Sequence, residues 1–295
     1  MKITTTGSLG NVAQPLVKQL IAAGHEVTVI TTKDDKASDI EGLGAKAAVG
    51  SISDASFLTR AFNGADAVYI MMPPSIGTSN FIQNIADAGQ ACADAIQAAG
   101  INRVVLLSSV GADAESGNGP IQGVHRVENI FRQLNDVDVT VIRSGFFYVN
   151  FLRDIPQIKS RNVFGNNYSG DIRLALTHPN DLASAIAEEL QIKGDGFKVK
   201  YVVSDVATGD QLAALFGKAI GKPELTWTAV PDEQLKQGML SAGMSAELVG
   251  LIIEMGQGVR NNLIMNDFFS TNGNVSGKVK LEQFANEFKS RYTLS

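Results

Sequence analysis

The sequence predicts an α/β fold: a Rossmann-type, doubly wound parallel sheet with a smaller C-terminal α/β lobe. Three observations lead there. Short β-rich runs alternate with helical stretches through the first 145 residues, the pattern of βαβ units. Several of those runs are almost wholly apolar, as a sheet covered on both faces requires. A glycine turn, Thr6-Gly7-Ser8-Leu9-Gly10-Asn11-Val12-Ala13, joins the first run to the first helix.

Taken in order, Lys2–Thr6 reads as the opening strand, and Asn11–Ala23 as a helix with Val12, Leu16, Val17, Leu20 and Ile21 on one face. Val27–Thr31 and Ala45–Val49 are the next strands. Ser53 or Asp54 caps a helix running to Phe62. Ala67–Met72 is an apolar strand closed by Pro73-Pro74, and a helix spans about Asn80 to Ala99. Arg103–Ser108, a helix at Pro120–Leu134, and Val139–Ile142 complete the alternation. Beyond Gly145 the pattern loosens: Asn162–Gly170 reads as a loop, His178–Leu190 as a helix, Lys198–Val203 as a strand and Thr208–Ile220 as a helix. Gln234–Met265 reads as helical with glycine interruptions. Residues 1–150 are therefore expected to form a dinucleotide-binding domain and 151–295 a smaller substrate-side lobe, some of whose elements return to the sheet.

Composition narrows the function classes. The chain has 295 residues, 44% of them hydrophobic, with a formal net charge of -5. An acidic balance argues against nucleic acid as a partner, and no apolar run approaches a membrane span. The N-terminus carries no signal-peptide pattern. A single cysteine, Cys92, suits a reducing compartment, and the expected location is the cytoplasm. His25, His125 and His178 lie far apart, and nothing shows metal-ligand spacing, so no metal is expected.

The glycine turn carries the chemistry. A dinucleotide pyrophosphate must approach main-chain N–H groups at the positive end of a helix. Gly7 permits the tight turn, Gly10 removes a side chain where the phosphates come close, and Ala13 lets helix and strand pack. Glycine spacing alone is a weak signal; the strand before and the helix after strengthen it. The second strand ends Ile30-Thr31-Thr32-Lys33 with no acidic residue until Asp34 and Asp35. Thr32 and Lys33 suit a 2′-phosphate, so NADP(H) is favoured over NAD(H), with a solvated surface lysine as the plain alternative.

These pieces, with Gly64-Ala65-Asp66-Ala67-Val68, Arg103 to Ser109, His125-Arg126-Val127-Glu128, Thr140 to Asn150 and Asp181-Leu182-Ala183, resemble the NmrA-like family of atypical short-chain dehydrogenase/reductases along most of the chain. The family includes NADPH-dependent quinone and dye reductases and dinucleotide-sensing regulators. The resemblance implies a cofactor lined by Gly7, Ser8, Leu9, Gly10, Asn11 and Val12, by Thr32 and Lys33, and by Met71, Met72, Pro73 and Pro74. It adds Ser108, Ser109, Gly145, Phe146 and Phe147. One departure stands out. Ordinary short-chain dehydrogenases use Tyr-x-x-x-Lys, and none of Tyr69, Tyr148, Tyr168, Tyr201 or Tyr292 has a lysine four residues on.

His125 is then the acid/base candidate, since histidine can give or take a proton near neutral pH; a helix-surface histidine is the equal alternative. Tyr148 is a candidate hydroxyl donor, weighed against simple packing. Phe147 and Asn150 are candidates for a substrate pocket. A quinone needs less acid/base help than a ketone, because its reduced form is aromatic, and the cofactor brings the hydride. The expected activity is an NAD(P)H-dependent reductase of quinones or similar flat electrophiles. A dinucleotide-sensing regulator is the alternative, a sugar-nucleotide epimerase a distant third, and a homodimer is left open.

Overall fold

Residues 1–73, 77 and 79–295 are described by a computed structural model. The chain begins with β1 (Lys2–Thr5), α1 (Ala13–Ala22) and β2 (Glu26–Thr31). A 3-10 turn at Asp34–Lys36 leads to α2 (Ala37–Gly42), β3 (Lys46–Val49), α3 (Ala55–Phe62) and β4 (Ala67–Ile70). Then follow α4 (Phe81–Ala98), β5 (Arg103–Ser109), α5 (Ile121–Phe131), β6 (Asp138–Ser144) and β7 (Phe146–Phe147). A 3-10 helix at Tyr148–Asp154 precedes α6 (Ile155–Arg161), β8 (Phe164–Asn166), β9 (Arg173–Thr177), α7 (Pro179–Gln191) and β10 (Phe197–Val202). The remainder is β11 (Asp205–Thr208), α8 (Gly209–Ile220), β12 (Trp227–Ala229), α9 (Asp232–Ser241), α10 (Ala246–Arg260), α11 (Leu263–Ser270) and α12 (Leu281–Leu294).

The elements sort into two units. The first comprises Met1–Ser108, Gly123–Arg143 and Leu182–Lys200; the second comprises Ser109–Gln122, Ser144–Asp181 and Tyr201–Ser295. The chain thus passes between units several times. The units are nearly equal in length. Most of α7 and of β10, from the C-terminal half of the chain, group with the N-terminal strands.

The first unit is organised by a seven-stranded sheet of order β10-β6-β5-β4-β1-β2-β3. The β3-β2-β1-β4-β5 part is parallel throughout. Strand order reverses between β1 and β4, the switch point where open α/β sheets bind ligands beyond the strand C-termini. β4 is buried at every position, as its unbroken apolar sequence requires. Helix α1 buries Ala13, Leu16, Val17 and Leu20, the stripe its 3.6-residue period marks out. Asp54 caps α3 by accepting the N–H of Phe57 at 3.0 Å.

Side-chain ion pairs stiffen the sheet's far strands. Arg103 lies 3.2 Å from Glu189, which also meets Lys198 at 2.9 Å and Lys200 at 3.1 Å. Cys92 is fully buried in α4, and burial pushes its thiol up to about 12; it packs as a small apolar residue.

The second unit holds two small sheets, β11-β9-β7 and β12-β8. The Asn/Gly-rich stretch at 162–170 contains β8 and is not wholly loop. Gly165 there lies against the carbonyl of Thr228, so β8 and β12 approach where a Cβ would collide. The core is aromatic: Phe216 stacks on Phe288 with centroids 4.4 Å apart, and Phe164 meets Phe151 at 5.9 Å and Trp227 at 5.2 Å. Thr208 and Gln211 form a reciprocal capping box at the start of α8. The 232–270 segment holds three separate helices, of which α10 and α11 bury apolar residues and α9 buries none. Asp232 accepts from Asn167 and Gln257, each at 2.8 Å, and from Arg260 at 3.2 Å, contacts that hold its carboxyl down at about 2. Among the described residues, no helix is long and apolar enough to cross a membrane.

Candidate functional site

The site is built where β1 ends. Thr6 is buried, and its hydroxyl replaces a ladder rung: Oγ1 donates to the Met71 carbonyl at 3.1 Å and accepts the Met71 N–H at 2.7 Å. The chain then turns sharply. Gly7 has φ +92°, a conformation that favours glycine, and a Cβ there would lie 2.5 Å from Met71 Cε. Ser8 follows with φ 52°, and the Gly10 N–H donates back to the Gly7 carbonyl at 3.2 Å. Ala13, nearly fully buried, opens α1 against the sheet.

This turn leaves donors available. Helix α1 begins with no side-chain cap and no acidic residue in its first turn. Among the described residues, no acceptor takes the N–H groups of Leu9, Asn11 or Val12. Orphan donors at a helix N-terminus, gathered at the switch point of a parallel sheet, fit a pyrophosphate. At the end of β2, Thr32 and Lys33 are exposed. Beyond β4, Met71 is half-buried, Met72 is 8% exposed and Pro73 is exposed; Pro74 lies outside the described residues. The first unit therefore gathers Gly7 to Val12, Thr32, Lys33, Met71 and Met72 along one edge of its sheet.

Ser108 sits at the same edge but is turned inward. Its hydroxyl donates to Glu128 Oε1 at 2.5 Å, and Arg143 closes on that carboxylate from Nε at 3.0 Å and Nη2 at 2.7 Å. All three residues are buried. The serine hydroxyl expected to line a cofactor is thus engaged in a structural network. Glu128 faces Ser108 and Arg143. His125 is half-buried on α5, with its Nε2 2.9 Å from the Asn129 amide nitrogen one turn on.

The remaining sequence candidates fall in the second unit. Ser109 Oγ donates to the Val110 carbonyl at 2.9 Å. The Gly145 N–H donates to Thr177 Oγ1 at 2.8 Å, and a Cβ on Gly145 would meet the Ala175 carbonyl. Phe146 and Phe147 are half-buried on β7, and Phe146 lies 5.1 Å from Phe151, centroid to centroid. Asn150 is half-buried on the 3-10 helix.

Tyr148 differs from its expected role. It is fully buried, its hydroxyl donates to the Val279 carbonyl at 3.2 Å, and its ring packs on His178 and Phe284. Burial and nearby carboxylates push its phenol well above the usual range. It is placed as a core tyrosine with a satisfied hydroxyl rather than as a proton donor.

Two features escape a reading of the sequence. The Ser108–Glu128–Arg143 network joins residues far apart in the chain. Asp154 keeps some exposed surface, yet burial pushes its carboxyl up to about 7, with Arg153 opposing. Three-residue spacing on the 3-10 helix, shared with buried Tyr148 and Phe151, was the signal that would have found it. Among the described residues no cluster of metal-ligating side chains occurs.

A sequence model described as the NmrA-like family matches residues 1–281. The chain is 23% identical over 256 residues to an NAD(P)H azoreductase of Xenophilus azovorans, covering 86% of this chain and 85% of that protein. It superposes on an Escherichia coli NADPH-dependent quinone oxidoreductase in complex with NADPH, with TM-score 0.82, 20% identity and coverage of 97% and 99%. A Citrobacter sp. triphenylmethane reductase complexed with NADP(H) gives TM-score 0.80 at 18% identity, with coverage of 97% and 99%. At these identities the structural likeness establishes the fold.

Proposed function

The chain belongs to the NmrA-like family, and on that premise we propose that it is an NAD(P)H-dependent reductase of quinones or similar flat electrophiles, with NADPH preferred. The observation that carries the reading is the uncapped N-terminus of α1 behind the left-handed Gly7-Ser8 turn. Bound there, the dinucleotide would supply the hydride.

The chain's own residues bind and orient. The N–H groups of Leu9, Asn11 and Val12 would hold the pyrophosphate. Thr32 and Lys33 would take the 2′-phosphate, and Met71 and Met72, just beyond β4, would line the cofactor. Assignment of Ser109, Gly145 and Phe146 to the cofactor, and of Phe147 and Asn150 to the substrate, rests on family resemblance. With no Tyr-x-x-x-Lys pair in the sequence and Tyr148 sequestered, His125 is the proposed proton-handling group. A quinone suits such a site, because aromatisation of the product supplies driving force that a simple ketone lacks.

The sequestered Tyr148 also favours a second reading, a regulator that binds the dinucleotide without turnover. NADPH consumption by the purified protein, measured with a panel of small quinones and with NADH in parallel, separates the two. Saturable turnover with NADPH supports the reductase. Tight NADPH binding without acceptor-dependent oxidation supports the regulator.

A further inference from the structure

Ser8 occupies the left-handed region, φ 52°, where a side chain carries a steric cost and glycine does not. Strain held at a ligand-binding turn invites the question of what the side chain adds. Here it adds a hydroxyl. Ser8 Oγ donates to Thr31 Oγ1 at 3.0 Å, while the Ser8 N–H donates to the Ile30 carbonyl at 3.1 Å. Thr31 is the last residue of β2 and is 3% exposed. Its Oγ1 also accepts the N–H of Lys33 at 3.3 Å. One buried oxygen therefore joins the second residue of the phosphate turn to the backbone of Lys33.

Placement matters at Lys33 because its neighbours work against it. Asp34 and Asp35 follow directly, both exposed, and Lys36 is engaged with Asp39 at 2.9 Å. A freely moving 33–35 segment would offer a phosphate one cation and two carboxylates. A segment held in one orientation can offer the cation alone, and a lysine acts on phosphate as a point charge whose distance decides its effect.

We propose that Ser8 and Thr31 are cofactor-selecting positioning residues, which fix Lys33 relative to the phosphate turn so that its ammonium meets the 2′-phosphate of NADPH. The inference rests on the reading of this edge as a dinucleotide site. It predicts an effect confined to the one group in which NADPH and NADH differ.

The test is equilibrium titration of the full-length protein with NADPH and with NADH. Thr31→Val keeps shape and burial but removes the shared oxygen; it should weaken NADPH about fivefold to tenfold and NADH less than about twofold. Ser8→Gly, which relieves the left-handed strain, should shift the ratio the same way. Thr31→Ser should restore wild-type selectivity. Equal weakening of both dinucleotides in Thr31→Val would mark a merely structural role and overturn the proposal. So would an unchanged ratio, or a wild-type protein that does not prefer NADPH. A wild-type protein that binds neither dinucleotide would overturn the cofactor reading itself, and this inference with it.

Discussion

Arg143 closes on the carboxylate of Glu128 at 2.7 Å, and both side chains are almost wholly buried, at 8% and 2% exposure. Ser108 donates its hydroxyl to the same carboxylate. A strand residue of β6 is thereby tied through α5 to the end of β5, next to the sheet edge that carries the glycine turn. Truncating one member of such a pair leaves a buried charge poorly compensated. Glu128→Ala should cost about 3 kcal/mol or more, read as a lower denaturant midpoint with unchanged slope.

Gly7→Ala tests the turn itself. The φ of +92° strains any side chain, and Met71 Cε occupies the space a methyl would need. The methyl end of Met71 can swing aside, so the strain of the positive φ is what remains. NADPH affinity should fall by about tenfold or more while the far-ultraviolet circular dichroism stays native, since the strain is local. Unchanged affinity would place the cofactor elsewhere.

Tyr148→Phe and His125→Ala should part company. The Tyr148 hydroxyl serves the Val279 carbonyl, so its loss should cost about 1 kcal/mol of stability and leave turnover per folded molecule within about twofold. Loss of a general acid or base costs about a hundredfold or more where the substrate depends on one; a quinone depends on it less, so His125→Ala should lower kcat by about tenfold, clearly more than Tyr148→Phe. The opposite ranking would return the proton-handling role to the tyrosine.

Asp154 gives stability a pH dependence of definite sign. Its folded pKa, about 7, is raised from 3.8 by burial. Below the ordinary carboxylate range both folded and unfolded chains hold the proton, and no penalty exists. As pH rises towards 7 the unfolded chain releases it first, so this group's contribution to stability is lost progressively and then levels off. Thermal melts from about pH 5 to about pH 8 should show Asp154→Asn gaining on wild type as pH rises. A constant difference across that range would contradict the assignment.

Much of the first unit was legible in the sequence, because local rules and tertiary demands agree there. The apolar run Ala67–Ile70 reads as a buried strand and is one. Asp54 reads as a cap and caps α3. Gly7 reads as a tight turn and has the positive φ. The second unit was harder. β7 is two residues long and exists because Phe146 and Phe147 pair with Leu176 and Thr177 of β9, which no local pattern announces. Gly165 reads as a loop glycine; the requirement it meets is the approach of Thr228.

Site residues divide along the same line. Gly7 and Lys33 are visible because backbone geometry and charge speak locally. The contacts of Ser108 and Tyr148 were not legible, since the partners of their hydroxyls, Glu128 and Val279, lie 20 and 131 residues away in the chain. The sequence marks Ser8 only as part of the glycine turn, and its bond to Thr31 reveals a use for its hydroxyl.

The central claim is that NADPH bound at the α1 turn delivers hydride to a flat acceptor. Its most direct test is a single-turnover experiment in which the protein, loaded with one equivalent of NADPH, is mixed with a small quinone while cofactor fluorescence is followed. The account predicts loss of the reduced-cofactor signal at a rate that saturates with quinone concentration and exceeds that of free NADPH. NADPH that stays bound and reduced, or oxidation no faster than in free solution, would contradict it.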